Sequence, residues 1–219
     1  MADSADIGSD ERVADGARAP WLARALLESL LIVLSVLLAL GLDEWRDQRT
    51  RDARARMALA SIDAELRDNA ETVERARTHH LGMRDSLRLY VDRQQQPPPH
   101  VYLFGLFNPA LVHATAWDSA RETGATGEMP FELLLTLSGV YDMQARYRSL
   151  GDALAQDIMR QIRREGLEVV LRDGSERFIT LQEDFAGRES TLLEAYAAAL
   201  EDLRRGPAAF RSAGAPGGG

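Results

Sequence analysis

Apolar residues follow two patterns along this chain, one continuous and one periodic. Residues 21–42 form an apolar run in which Arg24 and Glu28 are the only charges. A helix rising about 1.5 Å per residue would span roughly 33 Å over this run, close to the thickness of the hydrocarbon core of a bilayer. Trp21 and Trp45 bracket it, as tryptophans often do at membrane interfaces. The pattern predicts one membrane-spanning helix.

A cleaved export signal is the alternative interpretation of this run. Ala39-Leu40-Gly41 resembles a cleavage site with small residues at its first and third positions. The residues before the run are acidic, however, whereas an export signal begins with basic ones. The helical pattern also continues through residues 43–46 without a break. An uncleaved anchor is therefore favoured.

The periodic pattern follows directly after the run and predicts a long helix that ends near Arg93. Apolar positions alternate spacings of three and four, and only Asn69 and His80 on this seam are strongly polar. The seam consists of Leu59, Ile62, Leu66, Asn69, Val73, Ala76, His80, Met83, Leu87 and Tyr90. Such a seam is typical of an intramolecular bundle or of a coiled-coil dimer. The residues that flank the seam show no regular alternation of opposite charges, which would indicate a coiled-coil partner. Both alternatives therefore stay open, and the bundle is favoured.

Three prolines, Pro97 to Pro99, end this helix. The apolar residues 101–107 fit either a short strand or a plug that packs on the bundle, and the plug is favoured because no second clear strand is present. Thr115 opens a short helix that stops at Gly124, and Pro130 opens a long one running to about Arg164. Residues 167–181 fit either a hairpin with an Asp-Gly turn or two helices meeting at Gly174. A helical stripe from Phe178 to Leu203 favours the helices.

The chain is therefore expected to be all-α, with a single N-terminal transmembrane helix that continues into a long juxtamembrane helix. That helix packs with later helices as an antiparallel bundle. The first predicted segments are a disordered acidic tail (1–19), the transmembrane helix (20–43) and the juxtamembrane helix (44–93). A Gln/Pro connector (94–100), the rest of the bundle (101–205) and a disordered Gly/Pro tail (206–219) follow.

The composition of the chain limits which classes of partner and which kinds of catalytic site are expected. The net charge of −8 argues against a nucleic-acid partner, because such domains carry a basic surface. Without cysteine there is no disulfide and no thiol nucleophile. No phosphate-binding glycine loop, nucleophile elbow or His-Glu-x-x-His motif is present. We therefore expect no enzyme activity, catalytic residue, cofactor or metal. Asp118 and Glu122, the nearest approach to a cation site, read as a solvated helix face.

Two surfaces remain as candidates for interaction. Within the membrane segment, Arg24 and Glu28 are four residues apart, so Glu28 either pairs with Arg24 near the interface, which is favoured, or faces a partner helix. With Ser35 and Ala39 it lies on one helical stripe whose small residues would permit close packing of such a helix. In the soluble part, Trp117 and Tyr141 either complete the bundle core or form a surface that binds a ligand or partner.

Short motifs give the chain a resemblance to a known set of proteins. These are the apolar run of residues 30–40 followed by Asp43-Glu44-Trp45-Arg46, then Thr115-Ala116-Trp117-Asp118, and finally Leu137-Ser138-Gly139-Val140-Tyr141. From Leu30 to Tyr147 the chain resembles a widespread family of uncharacterised bacterial proteins with one N-terminal transmembrane helix and a helical soluble domain. The resemblance implies bacterial origin and a membrane anchor. It brings no activity, cofactor or site residue.

The expected function is a membrane-anchored interaction or scaffold module in the bacterial inner membrane. Its partners would be the lipid bilayer and either a second copy or another membrane protein. The alternative is a membrane-tethered, sensor-like bundle that binds a small ligand near Trp117 and Tyr141. Five arginines follow the membrane segment within residues 46–56, and Arg12 and Arg18 precede it. This excess places the C-terminal domain in the cytoplasm.

Overall fold

A computed structural model of the chain describes residues 19–102 and 107–206. The predicted tails at 1–19 and 206–219 lie outside these residues except for residues 19 and 206. So do residues 103–106 of the predicted apolar plug. The described residues form five α-helices and two short 3₁₀ turns: α1 (Ala19–Asp92), a turn at Pro99–Tyr102, α2 (Thr115–Glu122), a turn at Ala125–Glu128, α3 (Phe131–Glu165), α4 (Leu167–Asp173) and α5 (Ser175–Arg205).

The all-α prediction is confirmed, since the described residues contain no strand. The open alternative at residues 167–181 is resolved in favour of two helices, α4 and α5, that meet at Gly174. A Cβ atom at Gly174 would lie 2.5 Å from the carbonyl oxygen of Val170 and 2.7 Å from Phe178 Cε2. Both distances are too short for a side chain, so this junction requires glycine.

The chain divides into two compact units, Met1–Arg51 and Asp52–Gly219, and α1 supplies residues to both. In the first unit, the described part is the N-terminal portion of α1. Every residue from 26 to 42 is exposed there, and this stretch is called the apolar segment below. It is long and apolar enough to cross a membrane.

The second unit is a bundle of the C-terminal portion of α1 with α3 and α5. Glu65 and Asn69 of α1 bond to Tyr141 and Gln144 of α3, so the residue numbers rise together and these two helices run parallel. Helix α5 runs antiparallel to both. Toward α1, Glu189 of α5 contacts His80 and Glu183 contacts Arg88, so the residue numbers change in opposite directions. The same holds toward α3, where Tyr196 bonds to Gln144 and Arg177 to Asp157. The parallel arrangement of α1 and α3 requires the chain between them, called the connector from here on, to return to Glu65 before α3 begins. The Ala116 N–H of the connector donates to the Glu65 carboxylate.

The seam of α1 is buried within its own chain. Eight of its ten positions, from Ile62 to Leu87, are buried, and they include Asn69 and His80. In the main core they pack with side chains of α2, α3 and α5. A smaller cluster joins Met83 and Leu87 to α4 and the start of α5. The intramolecular alternative therefore accounts for this seam.

Candidate functional site

The apolar segment of α1 presents a lipid-like surface. Twelve large aliphatic side chains between Leu26 and Leu42 are 51% to 70% exposed. Ser35, one of the predicted interface residues, directs its hydroxyl group to the carbonyl oxygen of Leu31 at 2.8 Å. Because this bond lies within the helix, the hydroxyl group needs no external partner in an apolar environment.

The other predicted residues of this face are also exposed. Glu28 and Ala39 lie on the surface of α1, and the structure brings no second helix against them within the described residues. Neither Arg24 nor Glu28 makes an ion pair in the described part of the chain. The partner face proposed from the sequence is thus accessible, and it stays a prediction.

Charged and aromatic side chains follow the apolar segment immediately. The guanidinium carbon of Arg49 lies 3.9 Å from the centre of the Trp45 ring, a cation–π contact one helical turn apart. Further along, Arg51 Nη2 donates to Glu44 Oε1 at 2.7 Å. This stretch therefore combines acidic residues with the tryptophan and arginine side chains that are common at membrane interfaces.

In the bundle, the first of three interior polar groups is centred on Asn69. Its Nδ2 donates to the carbonyl oxygen of His113 at 2.7 Å, and its Oδ1 accepts from the backbone N–H of His113 at 2.8 Å. Gln144 Nε2 donates to the same carbonyl at 2.7 Å, and its Oε1 accepts from the Tyr196 hydroxyl group at 2.8 Å. These bonds attach the connector to α1 and α3, and Tyr196 joins α5 to the same group through Gln144.

The second group involves both residues of the predicted ligand surface. The Tyr141 hydroxyl group donates to Glu65 Oε1 at 2.7 Å, and the Ala116 N–H donates to Glu65 Oε2 at 2.9 Å. Helix α2 lacks a capping side chain of its own, so Glu65 of α1 supplies the acceptor at its first turn. The Trp117 ring stacks on Tyr141 with the ring centres 5.1 Å apart. Glu65 thereby positions this stacked pair.

The third group is fully enclosed and centred on Glu189 of α5. The Tyr147 hydroxyl group donates to Glu189 Oε1 at 2.7 Å and accepts from the Ala110 N–H at 2.8 Å. His80 Nδ1 lies 2.9 Å from Glu189 Oε2, and both side chains have no exposed surface. Because a carboxylate only accepts hydrogen bonds, Nδ1 is the donor. The His80 ring contacts both Phe107 and Phe185, whose rings also contact each other.

Trp117 and Tyr141 are brought together, but both are buried in the main core. A surface cavity of about 410 Å³ lies beside them, and its rim is charged. Its charged lining residues are Asp118, Arg121, Asp142 and Arg148. The cavity has the size of a small-ligand site. The ligand surface proposed from the sequence therefore stays a prediction.

The buried tyrosines give the bundle a defined response to alkaline pH. Burial raises the pKa values of Tyr141, Tyr147 and Tyr196 above the ordinary 10.0, and the nearby carboxylates of Glu65 and Glu189 add to this effect. Above pH 10 the native state thus holds more protons than the unfolded state, so stability falls as pH rises. The loss approaches about 1.4 kcal/mol per pH unit for each tyrosine.

We expect these three tyrosines to ionise only as the bundle unfolds. Tyrosinate absorbance and helical circular dichroism, followed together during an alkaline titration, test this expectation. Ionisation of all five tyrosines near pH 10 with the helix signal unchanged would refute it.

Within these three groups, the sequence interpretation missed Glu189, Gln144 and Glu65. The signal for Glu189 was its place on the apolar stripe of α5, four residues after Phe185 and three before Leu192. Gln144 holds the same kind of position between Tyr141 and Tyr147. Asp118 and Glu122 are exposed, and the described residues contain no group of three or more His, Cys, Asp or Glu able to hold a metal ion.

Comparison with family models found none that matches this chain. Comparisons with curated proteins and with solved structures found no match either. Function is therefore inferred from the chain's own residues.

Proposed function

We propose that this protein is a single-pass membrane protein whose helical bundle serves as an interaction or scaffold module held at the bilayer. The observation that carries the proposal is the contrast along α1. The apolar seam residues from Ile62 to Leu87 are buried by their own chain, whereas the twelve aliphatic side chains of the apolar segment are exposed. Burying each such side chain is favourable by about 1.5–3 kcal/mol, and a contiguous exposed patch of this kind marks an interaction surface. A lipid bilayer fits it in length and polarity.

The role is proposed as non-enzymatic and positional. In support, the half-buried carboxylate of Glu65 and the buried side chains of Asn69, Gln144 and Glu189 bond to the bundle's own groups, so they serve its architecture. A second copy or another membrane protein would pack against the face of Glu28, Ser35 and Ala39. The acidic net charge supports a partner other than nucleic acid.

The proposed location is the inner membrane of a bacterium, with the C-terminal domain in the cytoplasm. The five arginines that follow the apolar run of residues 21–42, against two before it, support this orientation. A reporter fused after Gly219 and active only in the cytoplasm is expected to give a positive signal. An active periplasmic reporter at the same position would reverse the orientation.

The function is tested by comparing the full chain with a chain beginning at Asp43. We expect only the full chain to remain in the membrane fraction after alkaline carbonate extraction and to recover membrane proteins in a crosslinked pull-down. The shortened chain retains the bundle, so it controls for partners of the bundle alone. Equal partner sets and equal membrane retention would count against a role that depends on membrane placement.

A membrane-tethered, ligand-binding bundle is the second candidate. The cavity of about 410 Å³ beside Trp117 favours it, because charged side chains line its rim next to an aromatic pair. A ligand bound there would raise the unfolding midpoint of the full chain in proportion to its occupancy. Arg121→Gln should abolish that increase, and a ligand that stabilises this variant equally binds elsewhere.

A further inference from the structure

The helix that follows the apolar segment has two chemically different faces. At 3.6 residues per turn, successive side chains are about 100° apart. Trp45, Arg46 and Arg49 then fall within an arc of about 100°. The three acidic residues of this stretch fall within a similar arc on roughly the opposite side of the helix; they are Asp43, Glu44 and Asp47. Residues 43–51 carry three arginines and three acidic residues. Arg46 and Arg49 lie on the face of Trp45, whereas Arg51 lies on the acidic face.

Local contacts preserve this separation. On the acidic face, Glu44 accepts a hydrogen bond from Arg51 at 2.7 Å, so that arginine is held by the chain itself. On the aromatic face, neither Arg46 nor Arg49 makes an ion pair within the described residues. The Arg49 guanidinium group lies over the exposed Trp45 ring, 3.9 Å from its centre. Such stacking leaves the edge of the guanidinium group, with its N–H donors, free to bind an anion.

The positions of Trp45 and Arg49 along the helix correspond to the depth of the lipid headgroup layer. Trp45 lies about 5 Å beyond Leu42 and Arg49 about 10 Å beyond it, at about 1.5 Å per residue. The headgroup layer extends about 5–7 Å beyond each side of the hydrocarbon core. Helical side chains lean toward the N-terminus of their helix, which here is the direction of the apolar segment. Arg49 therefore reaches back over Trp45 into the headgroup layer.

We infer that Trp45, Arg46 and Arg49 form a binding site for the phosphate group of an anionic phospholipid. Trp45 lies at the interface, and the two guanidinium groups donate charge-assisted hydrogen bonds to the lipid phosphate. The acidic face repels the same headgroup, so the bound lipid occupies one side of the helix. This inference rests on the proposed function, because it requires the apolar segment to lie in a bilayer.

The test measures which lipids stay bound to the full-length protein. The protein is reconstituted in mixed phosphatidylcholine and phosphatidylglycerol bilayers and extracted, and the retained lipids are identified by native mass spectrometry. Arg49→Gln is compared with Arg51→Gln, which removes the same charge two residues away on the other face. We expect the wild-type protein and Arg51→Gln to retain phosphatidylglycerol preferentially. Arg49→Gln should lower that preference about fivefold, and Arg46→Gln with Arg49→Gln should lower it further.

Other outcomes separate the inference from the proposed function. A wild-type protein that inserts but retains both lipids equally overturns the inference and leaves the membrane anchor intact. Equal losses for Arg49→Gln and Arg51→Gln overturn it too, since the effect would then be one of net charge. Loss of phosphatidylglycerol in excess inorganic phosphate would assign the site to a free anion and not to a lipid. Failure of the wild-type protein to insert overturns the proposed function and this inference together.

Discussion

Replacing Glu189 with alanine is expected to destabilise the bundle by about 3–5 kcal/mol, a large fraction of the stability of a domain of this size. The carboxylate accepts from the Tyr147 hydroxyl group and pairs with His80 in a region that has no exposed surface. Its removal leaves both groups buried without an acceptor, which costs more than the bonds themselves contribute. Denaturant unfolding of the full chain in detergent, followed by near-ultraviolet circular dichroism, measures the loss.

Glu194→Ala is the matched control for this substitution. Glu194 lies five residues later on α5, is exposed, and makes no ion pair in the described part of the chain. Its replacement should change stability by no more than about 0.5 kcal/mol. The combined variant His80→Ala with Glu189→Ala should lose less than the sum of the single variants, because the two residues share one interaction. Equal losses for Glu189→Ala and Glu194→Ala would mean that the buried carboxylate stabilises nothing.

The second large effect is expected at Leu34, the midpoint of the apolar segment. Leu34→Arg replaces a side chain that favours the centre of a bilayer with a charge that opposes it, a change of about 3–4 kcal/mol in insertion free energy. Such a change lowers the insertion equilibrium several-hundred-fold. Most of the variant should therefore leave the membrane fraction on carbonate extraction, while the helical signal of the bundle persists.

Leu26→Arg provides the control for position. It introduces the same charge at the edge of the apolar segment, where the side chain can reach the interface. This variant should remain largely in the membrane. Full retention of Leu34→Arg would contradict a membrane-spanning role for residues 26–42, as would equal release of the two variants.

The sequence alone predicts the helices of this protein well, because the spacing of the apolar residues identifies the buried face of each helix. Ile62, Leu66, Val73 and Leu87 are buried as their spacing predicts. Spacing cannot specify which helix covers that face or in which direction it runs. The parallel arrangement of α1 and α3 depends on the connector, whose Ala110 and Ala116 N–H groups bond to Tyr147 and Glu65. Those contacts join residues far apart in the sequence.

The interior polar groups were only partly predictable for a related reason. Asn69 and His80 stand out as polar residues on an apolar seam, so an interior role was foreseeable for them. Glu189 has the same position on its own stripe, but a glutamate is almost never buried without a partner. That partner, the Tyr147–His80 pair, is known only once three helices are assembled. The membrane-spanning role of the apolar segment is predicted without knowledge of the tertiary structure, because the prediction depends only on the length and composition of the segment.

The long interval between His80 and Glu189 has a consequence during synthesis. These two residues are 109 positions apart, and the cover that α2, α3 and α4 give the seam of α1 is complete only when α5 is present. A ribosome adding about 5–20 residues per second needs roughly 5–20 s to bridge that interval. Throughout that time the apolar seam of α1 is incompletely covered and His80 lacks its Glu189 acceptor, so α1 exposes an apolar surface well before the bundle is complete.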